Sequence, residues 1–183
     1  MALCGIDEAG RGPIAGSLVM AGVILNESIE GLNDSKKLTE KKRDLLFDQI
    51  CSSATYHIAR FSAQEVDEHG ISKCLAMGLQ AIMKSVASDD YLFDGNSTFG
   101  VSGVRTMIKA DAEIPEVSAA SILAKVTRDR EMVKLASDYP EYGFEGHKGY
   151  GTASHVEAIK KHGYCDIHRK TFRLKALEPT LFG

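Results

Sequence analysis

Two apolar runs open the chain, Leu3–Asp7 and Ser17–Leu25, and between them lies Gly10-Arg11-Gly12-Pro13, a turn that no helix crosses. The pattern predicts a β-hairpin. From Thr39 a Lys/Glu-rich stretch with Leu45, Leu46 and Ile50 on one side predicts a helix, and Thr55–Phe61 reads as a third strand. Ile71, Cys74, Leu75, Gly78, Leu79, Ile82 and Val86 recur at intervals of 3, 1, 3, 1, 3 and 4, the clearest helical stripe in the chain. Tyr91-Leu92-Phe93 is a short buried strand stopped by Asp94-Gly95-Asn96, and Val104–Lys109 is another that ends just before Asp111. Pro115, suited to a first helical turn, opens a helix through Ala119, Ile122, Leu123, Val126 and Val133 that stops near Tyr139-Pro140. A last helix is expected over Thr152–Lys161, with Gly163 as its stop. This order of strands and helices predicts an α/β fold with a mixed sheet. No repeat or Pro/Gly-rich linker divides it, so residues 1–183 read as one domain.

Composition narrows the class. The 183 residues are 44% apolar and 26% charged, ordinary for a globular core. The longest mostly apolar stretch, Ile14–Leu25, has 12 residues, against the roughly 20 needed to cross a bilayer, so no membrane partner is expected. Asp7 and Glu8 come before any basic residue, unlike a signal peptide, and Cys4, Cys51, Cys74 and Cys165 form no C-x-x-C pair. The expectation is a cytoplasmic, monomeric protein with reduced thiols. Net charge is −3, but unevenly spread: residues 147–175 hold 7 Lys+Arg (Lys148, Lys160, Lys161, Arg169, Lys170, Arg173, Lys175) against Glu157 and Asp166, with four of the six histidines. Such a stretch suits phosphates, or is an ordinary solvated face. The His162-x-x-Cys165-x-x-His168 spacing lacks a fourth ligand placed for zinc.

The strongest chemical signal is the placement of acids. Asp7 and Glu8 end the first strand, Asp94 ends a later one, and Asp111 follows the next. If those strands lie side by side in matching directions, four carboxylates converge, and like charges that close cannot all stay ionised without cations. Oxygen-only ligands favour Mg²⁺ or Mn²⁺ over zinc, and a pair of such ions serves phosphoryl displacement. Taken singly, each acid is as readily a cap or turn former. Gly10-Arg11-Gly12 follows the acid pair, where bare backbone can approach a sugar or phosphate and an arginine fork can address a phosphate oxygen. It is no dinucleotide fingerprint, because Ala15 stands where the third glycine would be.

These residues resemble ribonuclease HII. Asp7-Glu8-Ala9-Gly10-Arg11-Gly12-Pro13 looks like that family's opening motif, Leu32-Asn33-Asp34-Ser35-Lys36-Lys37-Leu38 its second block, Asp94-Gly95-Asn96 its third, and Lys109-Ala110-Asp111 its fourth. Ser118 to Asp129, Tyr139-Pro140 through Gly149-Tyr150-Gly151-Thr152, and Ile167-His168-Arg169-Lys170-Thr171-Phe172 complete the set, so the likeness spans nearly the whole chain. It implies a ribonuclease H-like fold: a five-stranded mixed sheet flanked by helices, with a helical C-terminal extension from about residue 140 to 183 that binds substrate. The implied activity is endonucleolytic cleavage of RNA in RNA/DNA hybrids and on the 5′ side of ribonucleotides embedded in duplex DNA, leaving 3′-hydroxyl and 5′-phosphate ends, as in ribonucleotide removal during replication and repair.

Carried over, Asp7, Glu8, Asp94 and Asp111 would hold two divalent cations, with Asp7 bridging, Asp94 and Glu8 on the leaving-group ion and Asp111 on the water-bearing ion. Gly10, Arg11 and Gly12 would contact the ribose 2′-hydroxyl and its flanking phosphates, and Tyr150 would stack on the following deoxyribose. The 2′-hydroxyl is the group that tells RNA from DNA. Lys36, Lys37, Ser121 and Lys125 are candidate phosphate contacts, each as readily a solvated surface group. Leu181-Phe182 is distantly similar to the end of a sliding-clamp-binding peptide, but more readily an untethered chain end. Two alternatives stand beside this reading. Ribonuclease HIII shares the acids but carries an extra N-terminal domain and lacks the Gly10-Arg11-Gly12-Pro13 form. A silent hybrid-binding module would be expected to have lost an acid, and all four are present.

Overall fold

The computed structural model describes residues 2–32 and 35–178. Asn33 and Asp34 of the second block, and Leu181-Phe182, lie outside the described residues.

Five strands form one sheet: β1 (Leu3–Ala9), β2 (Leu18–Leu25), β3 (Ala54–Phe61), β4 (Asp90–Asp94) and β5 (Val104–Met107), in the order β3-β2-β1-β4-β5. β1, β2 and β3 form an antiparallel meander, whereas β4 and β5 run parallel to β1. The predicted mixed sheet and opening hairpin are both present. Alternation along β2 explains the layers, because successive strand residues face opposite sides. Leu18 and Met20 join a core with Leu75, Leu79 and Ile82 of helix α3 (Ile71–Ser85). Val19, Ala21 and Val23 face Ile50 of helix α1 (Glu40–Ser53) and Ala120, Ile122 and Leu123 of helix α4 (Pro115–Ala136). With both faces covered, β2 reads as an almost continuous apolar run. Truncating a buried leucine such as Leu123 to alanine in such a core costs about 2–5 kcal/mol.

Most boundaries follow the sequence signals. Thr39 caps α1 by accepting from the Lys42 N–H, and Pro115 opens α4. Within α1, Leu46 and Ile50 are buried but Leu45 is 63% exposed, so the predicted apolar side of that helix is narrower by one residue. β5 stops at Met107 rather than reaching Lys109. The cause is Asp94, whose carboxylate accepts from the N–H groups of Lys109 and Asp111 and draws the chain off the sheet edge. Helix α2 (Ala63–His69) was not predicted, although Ser62 and Glu65 form a reciprocal capping box, a readable signal.

Beyond α4 come a four-residue helix α5 (Phe144–His147) and helix α6 (Ala153–His162), the latter capped by Thr152 and ended at Gly163 as expected. After α6 the described chain is turn and coil apart from a short 3-10 turn at Lys175–Leu177. An isolated bridge between Ala15 and His168 ties it back to the end of the opening turn.

Candidate active site

Strand direction is what assembles the acids. β1 and β4 are parallel, with Ile6 opposite Phe93, so Asp7 and Asp94 leave neighbouring strand ends at one level. Asp111 sits in a 3-10 turn (Ala110–Ala112) pinned by the two backbone N–H bonds to Asp94, each 3.1 Å. Carboxylate oxygens of Asp7, Asp94 and Asp111 lie within 4.8 Å of one another. Asp7 and Asp111 are buried, and Asp94 is half-buried. Asp7 accepts from the Glu8 N–H at 2.8 Å and from the Ser121 side chain. Burial, then the charges of Glu8 and Asp94, push the Asp7 carboxyl well above its ordinary pKa.

Glu8 stands beside this cluster. Its Oε1 pairs with the Arg11 guanidinium at 2.8 Å, while its buried Oε2 has no hydrogen-bond partner. Burial raises the Glu8 pKa, and the Arg11 charge partly offsets it. Arg11, expected at a phosphate, is therefore engaged by Glu8, and its guanidinium lies 5.5 Å from the centre of the Phe99 ring. The donor set is all oxygen, its charges repel, and one buried carboxylate oxygen is unmatched, which fits hard divalent cations and gives zinc no nitrogen or sulfur donor.

Next to the acids opens a cleft of about 280 Å³ whose lining includes Gly10, Arg11, Gly12, Lys36, Ser121, Lys125 and Tyr150. Seven of the eight residues expected to meet substrate are thus brought together, and Lys37 is not among those lining the cleft. Ser121 hydrogen-bonds Asp7 and also lines the cleft, so it stands where the acids and the cleft meet. Lys125 is half-buried and pairs with Asp129 at 3.3 Å. The Tyr150 ring is 47% exposed and lies against Gly12: a Cβ built on that glycine would be 3.8 Å from the ring.

The basic C-terminal stretch is smaller than its residue count suggests. Arg169 is 1% exposed and donates to the carbonyls of Gly10, Arg11, Pro13 and Gly16, so it does not face solvent phosphates. His155 and His168 are buried as well. The Tyr150 carbonyl can only accept and the Cys165 N–H can only donate, which makes the chain between them readable: His155 Nδ1–H donates to Tyr150, His168 Nε2–H donates to His155 Nε2, and His168 Nδ1 accepts from Cys165. Both rings are neutral in this arrangement, and burial pushes both pKa values down to about 4. Cys165 Sγ lies 3.2 Å from His168 Nδ1, so Cys165 and His168 belong to a hydrogen-bond chain, with His162 exposed beside it.

Arg128 is a residue the sequence reading did not single out. It lines the same cleft, 2% exposed. A signal was available: Ser121, Lys125 and Arg128 are spaced by 4 and 3, which places all three on one face of a helix.

Comparison with known proteins points one way. The sequence profile of the family described as Ribonuclease HII matches residues 4–175. The chain is 66% identical over 181 residues to a protein named ribonuclease HII from Sulfurovum sp. (strain NBC37-1), covering 98% of this chain and 96% of that relative. To the ribonuclease HII of Aliarcobacter butzleri (strain RM4018) it is 57% identical, covering 99% of this chain and 95% of the relative. Among solved structures, the fold resembles ribonuclease H2 from Pyrococcus horikoshii OT3 with a TM-score of 0.79, 33% identity and 94% of each chain covered. It also resembles the protein in the PCNA:RNase HII complex from Archaeoglobus fulgidus, with a TM-score of 0.83 and 27% identity, over 100% of this chain and 99% of that one.

Proposed function

The chain belongs to the ribonuclease HII family, and from that premise we propose that it cuts on the 5′ side of ribonucleotides embedded in duplex DNA, leaving 3′-hydroxyl and 5′-phosphate ends. Ribonuclease H activity on RNA/DNA hybrids and dependence on a divalent metal come with the family. The observation that carries the finer reading is the convergence of Asp7, Asp94 and Asp111 within 4.8 Å beside a cleft lined by Gly12 and Tyr150.

Asp7, Glu8, Asp94 and Asp111 hold two cations, Mg²⁺ or Mn²⁺, in this reading. Bound there, such ions supply a water of lowered pKa and neutralise charge building on the entering and leaving oxygens. The chain supplies position. Both Asp94 oxygens are fixed by backbone N–H groups, and Asp7 is fixed by Glu8 and Ser121. The glycine turn meets the ribose 2′-hydroxyl and its flanking phosphates, Lys36 and Lys125 meet further phosphates, and Tyr150 lies against the sugar that follows. Exposed cations of the C-terminal part, including Lys160, Lys161, Lys170 and Arg173, add attraction for the duplex, so binding weakens as salt rises.

No helix among the described residues is long and apolar enough to cross a membrane, and the four cysteines are free, which supports a cytoplasmic place of action. The protein in complex with PCNA in the solved Archaeoglobus fulgidus structure supports a weak sliding-clamp contact here too, through Leu181-Phe182. The deciding experiment incubates an end-labelled duplex bearing one ribonucleotide with the protein and Mg²⁺ or Mn²⁺, and maps the product. A single cut immediately 5′ of the ribonucleotide is expected. No cut, or cutting within all-DNA duplex, would refute the assignment.

A further inference from the structure

Two arginines buried behind the cleft do more than fill space. Arg128 comes from α4 and donates to the carbonyls of Ser17 (2.8 Å), Ala15 (2.9 Å) and Lys148 (2.8 Å). Arg169 comes from the C-terminal segment and donates to Gly10 (2.6 Å), Arg11 (3.2 Å), Pro13 (2.9 Å) and Gly16 (3.0 Å). Neither makes an ion pair among the described residues; the hydrogen-bond acceptors of both buried guanidinium groups are neutral backbone oxygens, while Asp129 and Glu131 act on Arg128, and Asp67 on Arg169, only from beyond ion-pair distance. Burial lowers the pKa of both, that of Arg169 to about 10. A hydrophobic pair of similar volume would avoid that desolvation cost, so stability alone does not call for this arrangement.

The geometry of the peptide explains what it achieves. A trans peptide is planar with its C=O and N–H pointing opposite ways, and no peptide bond among the described residues is cis. Arg169 draws the Gly10 and Arg11 carbonyls inward, which turns the N–H groups of Arg11 and Gly12 outward; neither N–H has a partner among the described residues. Arg128 then links two strips of chain. One is the exit of the glycine turn, at Ala15 and Ser17. The other is the loop that carries Tyr150, held through Lys148 and sealed by the Ile14 N–H donating to the Gly149 carbonyl at 2.9 Å. The Arg128 guanidinium also lies 5.8 Å from the centre of the Tyr150 ring. Gly10 and Gly149 fit against this brace because they have positive φ, +96° and +89°, and no Cβ to strike Arg128 or Ala15.

We propose that Arg128 is a specificity-setting positioning residue: with Arg169 behind it, it holds the glycine turn and Tyr150 as one rigid reader of the ribonucleotide-to-deoxyribonucleotide junction. This rests on the junction role given above to Tyr150. A long hybrid offers no such junction at most of its cut sites, so the brace matters less there.

The test compares cutting of a duplex bearing one ribonucleotide with cutting of a long hybrid. Arg128→Lys keeps the charge but loses the three-way fork. The single-ribonucleotide rate should fall about tenfold relative to the hybrid rate, the worth of about one charge-assisted hydrogen bond. Placed on Tyr150→Ala, the same substitution should leave that ratio where Tyr150→Ala alone put it. An equal loss on both substrates, or a further fall of the ratio in the Tyr150→Ala background, would overturn the proposal. If Arg128→Lys does not fold, Arg128→Gln carries the same comparison. Loss of fold in both would also overturn it, since the residue would then be a structural prop. The wild-type chain separates the two claims: if it fails to cut either substrate, the proposed function fails first, whereas normal wild-type cutting with an unchanged ratio in the variant removes only the inference.

Discussion

Two charge clusters of opposite sign flank the cleft, and they are completed differently. On one side Asp7, Asp94 and Asp111 crowd within 4.8 Å, with Asp7 pushed well up in pKa and one Glu8 oxygen buried without a partner. On the other, Arg128 and Arg169 are just as buried, yet seven backbone carbonyls accept from them. The acids repel one another and gain from added positive charge, whereas the arginines already have their acceptors in place. Chemistry that depends on added cations should therefore fail on the acid side first, while changes on the arginine and histidine side should show in stability and selectivity.

The largest effect belongs to Asp7→Asn. Metal-dependent cutting should fall at least about a thousandfold, since several kcal/mol of transition-state stabilisation are removed, while duplex binding stays close to wild type. A carboxyl whose folded pKa is raised above its unfolded value weakens the fold as pH rises through that folded value. The metal-free variant should thus melt higher than the metal-free wild type at neutral pH. Adding Mg²⁺ should raise the wild-type melting temperature more than the variant's. A variant that still cuts, or one that loses binding and fold together, breaks the contrast between the two clusters.

Next in size is an acid effect confined to the other side. His155 and His168 are held neutral, with folded pKa values of about 4 against an ordinary 6.5. Because the unfolded rings bind protons first, their contribution is fully present above about pH 6.5 and is lost as pH falls towards 4. Between pH 7 and pH 5 this is roughly 2 kcal/mol for each ring. Urea melts at the two pH values check it, and His155→Gln should flatten the dependence. An equally steep fall in that variant would move the cause elsewhere.

The two sides also differed in how far the sequence revealed them. Acids at strand ends are visible because strands are short, apolar and bounded by Asp94-Gly95-Asn96 and Lys109-Ala110-Asp111, and the parallel pairing of β1 and β4 then brings them together. The arginine frame is not legible in that way, because charge says nothing about burial. Arg169, His155 and His168 read as part of a basic stretch, and only the return of the C-terminal segment onto the opening turn, through the Ala15–His168 bridge, buries them. Arg128 was hidden for a related reason: nothing local shows that its partners are carbonyls more than a hundred residues earlier in the chain, at Ala15 and Ser17.

Tyr150→Ala probes the proposed contact between the frame and substrate. The ring rests on Gly12 with Arg128 behind it, and removing it should lower single-ribonucleotide cutting about tenfold relative to hybrid cutting, the upper end of what one aromatic contact supplies. Tyr150→Phe should retain most of the ratio, because the phenol oxygen makes no hydrogen bond among the described residues. Equal losses on both substrates after Tyr150→Ala would detach the ring from junction reading.

The smallest effect separates two adjacent lysines. Lys36 lines the cleft and Lys37, although exposed next to it, does not. A phosphate contact releases about one counterion, so Lys36→Ala should weaken duplex binding a few-fold and reduce the slope of log affinity against log salt by about 1. Lys37→Ala carries the same change in net charge. If long-range attraction were all that mattered, the two variants would behave alike; if the cleft defines the path of the backbone, only Lys36→Ala changes the slope. Fluorescence anisotropy of a labelled duplex across a salt series, with EDTA present to prevent cutting, distinguishes them.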